Sequence, residues 1–291
     1  MSTLPDPSSV PDAWRGLVDD AAIFPPGDAP LHEASSAHAE RRHAPYADLV
    51  GTFVVRDTDV PLLRGTPLAL SVVVTGGAGN IAGLASLGRK LHVAIEGIEV
   101  ALRDLDDPAG NARRVVAAVD AARADGQLDD HVPVFVELPA VPVSGPVSAG
   151  WLAAADVVAA AELRLKLRTG GLEAGAFPPA PTVAAWIDAA LDRETPFKCT
   201  AGLHRAVRRT GTDGFEHHGF LNLLLATRRA FDGAGPDEVV AVLEERDGPA
   251  LADAAGGADL ARARRWFTSF GSCSVSEPLD DLLALGLLEA R

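Results

Sequence analysis

Two lysines stand out by type and spacing: Lys166 in Lys166-Leu-Arg-Thr-Gly-Gly171, and Lys198 in Lys198-Cys-Thr-Ala-Gly-Leu-His204, 32 positions further on. Lysine supplies only three of the 26 basic residues, so arginine carries nearly all the positive charge. An amine can lose its proton when it is desolvated or set beside another cation, and can then attack a carbonyl; a guanidinium stays charged. Lysines kept in such a chain point to imine chemistry. The plainer alternative makes them phosphate contacts or salt-bridge partners.

Any such chemistry needs a scaffold, and composition bounds it. The chain has 291 residues, 47% hydrophobic and 23% charged, as expected of a folded domain with a sizeable core. A formal net charge of −14 and a pI near 4.9 speak against a non-specific nucleic-acid binder and against anionic membrane surfaces. Cys199 and Cys273 make no disulfide framework, the segment from Met1 to Pro11 lacks a signal-peptide pattern, and no apolar run reaches a membrane-spanning length of roughly 18 residues. A cytoplasmic protein acting on a small molecule is expected, with neither nucleic acid nor membrane as partner; a homo-oligomer stays open.

Short apolar runs alternate with helical patterns. Candidate strands run from Leu17 to Phe24, Leu49 to Arg56, Leu68 to Thr75, His92 to Arg103, Val132 to Leu138, Leu163 to Arg168, Pro196 to Thr200 and Trp266 to Ser272. Several are almost continuously apolar, which suits strands buried on both faces. Amphipathic helices are expected at Ala112 to Ala124, Thr182 to Leu191, Phe220 to Ala230, Asp237 to Glu245 and Leu279 to Leu288. Eight strands joined by crossovers predict an α/β fold, a single (β/α)8 TIM barrel over residues 17–291 with extra helices after the seventh strand, preceded by an extension over 1–16. An open doubly wound sheet is disfavoured, because no GxGxxG follows the first strand.

Barrel sites form at the carboxyl ends of the strands, where both lysine motifs fall. Strand alternation sets Lys166 with Arg168 on one face and Lys198 with Thr200 on one face. If those faces point inward, the two ammonium groups approach each other, each disfavours charge on the other, and one becomes a neutral nucleophile near pH 7.

The run Lys-x-x-Thr-Gly on strand six, Lys-x-x-x-Gly-x-His on strand seven and Phe270-Gly-Ser-Cys-Ser274 on strand eight resembles the class I aldolases of the deoxyribose-phosphate aldolase type. The resemblance is firmest after Val132, with weaker echoes at Val18-Asp-Asp-Ala21 and Val136-Glu-Leu138. It implies that Lys166 forms the imine and Lys198 depresses its pKa, while Gly170, Gly171, Gly202, Ser272 and Ser274 line an anion pocket. The chain departs from the pattern at Arg168, which replaces a small polar residue, and on strand four, where Glu96, Glu99 and Arg103 stand in place of an acid/base aspartate.

The remaining candidates each carry an ordinary structural alternative. Asp20 or its neighbour Asp19 could be a site carboxylate or a strand-end hydrogen-bond acceptor. Glu99 and Glu137 are acid/base candidates, with a salt bridge to Arg103 or Arg168 as the alternative for Glu137. Thr169, Thr200, His204, Gly271 and the pair His218 and Asn222, four apart on one helical face, are candidate substrate contacts. Adjacent His217 and His218 without a third ligand make a weak metal signal, so no metal and no cofactor is expected. Cys199 should point away from the barrel interior as a small apolar residue. The leading expectation is a Schiff-base lyase acting on a small, anionic or phosphorylated carbonyl compound. An isomerase that grips an anion without an imine, and a non-catalytic metabolite-binding barrel, are the alternatives.

Overall fold

The computed structural model describes residues 10–139 and 147–289. Eight parallel strands close into a barrel: β1 (Val18–Asp20), β2 (Val50–Arg56), β3 (Ala69–Val74), β4 (Ala94–Ala101), β5 (Val134–Glu137), β6 (Arg164–Arg168), β7 (Phe197–Thr200) and β10 (Phe267–Ser272). Strands β8 (Arg209–Thr210) and β9 (Glu216–His217) form a small antiparallel hairpin after β7. The (β/α)8 architecture expected from the strand count is therefore the one found, and each neighbouring pair in the barrel is parallel.

The first strand is shorter than the apolar run predicts. Beyond Asp20 the backbone turns, with Phe24 N–H donating to the Ala21 carbonyl and Gly27 N–H to that of Phe24. Helices α1 (Leu31–Arg41), α2 (Ile81–Leu91), α3 (Pro108–Ala124), α4 (Ala149–Ala160) and α5 (Ala180–Asp192) cover the barrel between successive strands. After β7 come α6 (Phe220–Phe231), α7 (Pro236–Glu244), α8 (Gly248–Gly256) and α9 (Leu260–Ala263), and α10 (Ser276–Ala284) follows β10. Val10 and Trp14, ahead of the first strand, are buried, and the Trp14 indole N–H donates to the Leu287 carbonyl.

The outward face of the sheet supplies the apolar core. Phe53, Val55, Leu70, Val72, Ile98, Val100, Val136, Leu165, Phe197, Cys199 and Phe270 are all buried among the helices. The inward face is different in kind. Asp19, Ser71, Glu99, Lys166, Lys198 and Ser269 are buried polar residues on six different strands. Barrel interiors are ordinarily packed with branched apolar side chains; this one holds an ion-pair network at its centre.

Candidate active site

Strand register builds the site. Lys166 and Lys198 are directly paired across β6 and β7, and Glu137 is paired with Lys166 across β5 and β6. Neighbouring strands lie about 4.8 Å apart, so residues in register on one face must share their surroundings. Lys166 Nζ lies 2.8 Å from Glu99 Oε2 and 2.9 Å from Glu137 Oε2. Lys198 Nζ lies 2.7 Å from Glu99 Oε1 and 2.7 Å from Asp19 Oδ2. Glu99 thus gives one oxygen to each lysine. Arg168 Nε donates to Glu137 Oε1 at 2.7 Å.

Hydroxyl groups complete the shell. Ser71 donates to Glu99 Oε1 and Ser269 to Asp19 Oδ2, each at 2.6 Å, and Thr52 donates to Asp19 Oδ1 through both backbone N–H and hydroxyl at 2.8 Å. Phe135 lies beneath, with Lys198 Nζ 5.2 Å from its ring centroid. No carboxylate of the network lacks a cation, as a buried charge requires.

These contacts reverse the electrostatics expected from the lysine pair alone. Burial opposes charge on Lys166, but the carboxylates of Glu99 and Glu137 overcome it and raise the pKa. Burial likewise opposes charge on Lys198, and Asp19 and Glu99 push it well above the usual lysine range. Burial would raise Glu99 and Glu137, yet the adjacent cations hold Glu99 far below the ordinary carboxylate range and lower Glu137 as well. The expected neutral lysine is therefore not the resting state. The sequence reading weighs the two ammonium groups against each other and omits the carboxylates of the flanking strands.

Above the network opens a cavity of about 610 Å³. Glu99, Glu137, Lys166 and Lys198 line its base, and Arg168, Gly171, Thr200, Gly202, His204 and Gly271 contribute to the wall. Arg103 and, of the adjacent histidines, His217 rather than His218 line the wall, together with Phe24, Leu172, Cys273, Asp213 and Phe215, which no motif announces. From Arg209 to His217 the hairpin carries three charged residues and a turn but too few apolar positions to announce a strand.

Other candidates lie elsewhere. Asp20 faces away from the interior, where His38 Nδ1 and Arg41 Nη1 of α1 lie 3.0 and 2.6 Å from its Oδ2; Asp19 takes the inward position. The two aspartates are adjacent, between Val18 and Ala21, so alternation sends one inward and one outward without saying which. His218 is buried against the Pro178 carbonyl at 2.7 Å, and burial lowers its pKa to about 4. Asn222 donates to the carbonyls of Val242 and Glu245 and accepts from Arg208 N–H, tying the helices after β7 together. Thr169 donates to the Ala201 carbonyl at 2.8 Å, and Ser272 to that of Ser274 at 2.7 Å. Ser274 meets Ser276 Oγ at 3.1 Å. A Cβ at Gly170 would fall 2.7 Å from the Gly202 Cα, so the loops after β6 and β7 press together, with Gly171 and Gly202 on the cavity wall.

Among the described residues, no group of three or more His, Cys, Asp or Glu is arranged to hold a metal ion, and no helix is long and apolar enough to cross a membrane. No family model matches the chain, and no curated protein matches it in sequence. Solved structures do. Two candidate deoxyribose-phosphate aldolases from Toxoplasma gondii ME49 superpose with TM-scores of 0.52 and 0.51, at 12% and 14% identity. The first alignment covers 96% of this chain and 96% of that one, the second 94% and 92%. At such low identity the likeness establishes the barrel fold.

Proposed function

We propose that the protein is a carbon–carbon lyase that works through an imine on Lys166. One observation carries the reading: two buried lysines in register at the base of an open cavity, bridged by one carboxylate. The barrel's likeness to aldolase structures supports it at the level of fold.

The contacts favour Lys166 over Lys198 as the nucleophile. If Lys166 gives up its proton, Glu99 keeps Lys198 and Glu137 keeps Arg168. If Lys198 does so, Asp19 is left with hydroxyl and amide donors and no ion-pair partner among the described residues. An unpaired buried carboxylate is costly, so deprotonation falls to Lys166. The neutral amine adds to the substrate carbonyl, the carbinolamine loses water, and the resulting iminium accepts the electron pair of the adjacent C–C bond as it breaks. Glu99 and Glu137 are placed to take and return the proton, and the Lys198 ammonium remains to stabilise developing negative charge on oxygen.

The anion-gripping alternative is weakened by the same contacts, because each lysine already holds two carboxylates. Borohydride added during incubation with aldehydes and ketones should leave a stable adduct on Lys166, read by intact mass and peptide mapping. Lys166→Arg should retain the fold and form none. An adduct that persists in that variant, or maps to another residue, would sink the assignment.

A further inference from the structure

The mouth of the cavity has two unlike sides. Over β7 and β10, His204, Arg205, Ser272 and Ser274 take their partners from within the chain. His204 Nδ1 lies 3.2 Å from Glu277 Oε2, while Arg205 Nη2 and the Ala206 N–H both reach the Asp281 carboxylate at 2.7 Å. The hydroxyls of Ser272 and Ser274 are engaged locally. Burial lowers the pKa of His204 despite Glu277, so the imidazole tends to neutrality and offers an anion little positive charge.

Over β4 and β6 the situation is reversed. Arg168 contacts Glu137 through Nε, and its side chain lines the cavity and stays 39% exposed. Arg103, two residues beyond β4, donates to the Thr75 carbonyl and has no carboxylate partner among the described residues. Below them, Lys166, Lys198 and Arg168 face Asp19, Glu99 and Glu137, three cations against three anions. Among the described residues, Arg103 is the lining arginine without a carboxylate contact, and the wall's further carboxylate, Asp213, is held by His217 on the hairpin; little net positive charge faces the opening, which suits a monoanion better than a phosphate dianion. A guanidinium's planar fork matches a carboxylate.

We propose that the substrate is a carbonyl compound bearing one carboxylate, held by Arg103 and Arg168 at the β4–β6 side of the mouth. This rests on the imine reading above, so the test separates the two. Succinic semialdehyde, butanal and glyceraldehyde 3-phosphate are trapped with borohydride over a concentration series, and adduct on Lys166 is quantified by mass. Succinic semialdehyde should reach half-maximal trapping at about tenfold lower concentration than butanal or the phosphate, the scale of one charge-assisted hydrogen bond. In Arg103→Gln, confirmed as folded by its thermal transition, the concentrations for succinic semialdehyde and butanal should converge. Equal dependence on all three probes, a preference for the phosphate, or an advantage that survives Arg103→Gln overturns the carboxylate subsite alone. Absence of any adduct overturns the imine, and this proposal with it.

Discussion

At the scale of single residues, Glu99 decides the chemistry. It is buried, touches both lysines and accepts from Ser71, so it sets the charge state of the whole centre. Because the lysines are raised rather than depressed, adduct formation with a small neutral aldehyde and cyanoborohydride should climb steadily from neutral pH toward pH ~9.5, without an early plateau. Glu99→Gln would leave two buried ammonium groups side by side and shift that climb to lower pH. It should also destabilise the fold by about 3–5 kcal/mol, as removal of one member of a buried ion network does. A wild-type profile already flat at pH 7 would restore the depressed lysine expected from the motifs alone. The lysines and Glu99 were legible because charged residues inside near-continuous apolar strands have few explanations. Asp19 was legible only as one of an adjacent pair, and Thr52, Ser71 and Ser269 were not, since small polar residues on strands are common and only closure of the barrel brings them to one centre.

At the scale of elements, what fixes the lysines is the clamp between the loops after β6 and β7. Gly170 stacks its backbone on Gly202, whose φ of +74° lies in the region that glycine tolerates, and Thr169 donates across to Ala201. Gly170→Ala would drive a methyl group to within 2.7 Å of the Gly202 Cα and 2.9 Å of its N. It should cost about 1–3 kcal/mol and lower the yield of lysine adduct, as overpacking against backbone does. Gly79→Ala, where an added Cβ meets nothing within 4 Å, is the matched control and should stay within about 0.5 kcal/mol. Equal denaturation midpoints for the two variants would show that the loops are not coupled. The strands were readable from their β-branched runs, yet α1 and α4 escaped notice for opposite reasons. In α1 only Ala34 and His38 are buried, too few to mark a period; α4 is so uniformly apolar that it has no polar face to contrast.

At the scale of the whole molecule, a strongly acidic surface encloses a centre in which cations and anions balance. The formal net charge is −14 over the chain, whereas the three carboxylates of the network each hold a lysine. The two layers should answer differently to pH and salt. Glu99 and Glu137 are lowered on folding, so their contribution is complete above the ordinary value of 4.5 and is lost as pH falls through the depressed folded values. Lys166 and Lys198 are raised, so their contribution is complete below 10.5 and is lost as pH rises through the elevated folded values. Between these limits the network adds no slope. His218, lowered to about 4 by burial, opposes protonation and costs stability once pH falls below about 6.5, so the thermal midpoint should be nearly level from about pH 7 to 9.5 and fall on both sides. Added salt should lift the alkaline shoulder, where surface anions repel one another, and change the acid limb little, because the buried pairs are poorly screened. A midpoint that instead peaks near the isoelectric point of 4.9 would mean that surface repulsion, and not the ionic centre of the barrel, governs how this fold responds to pH.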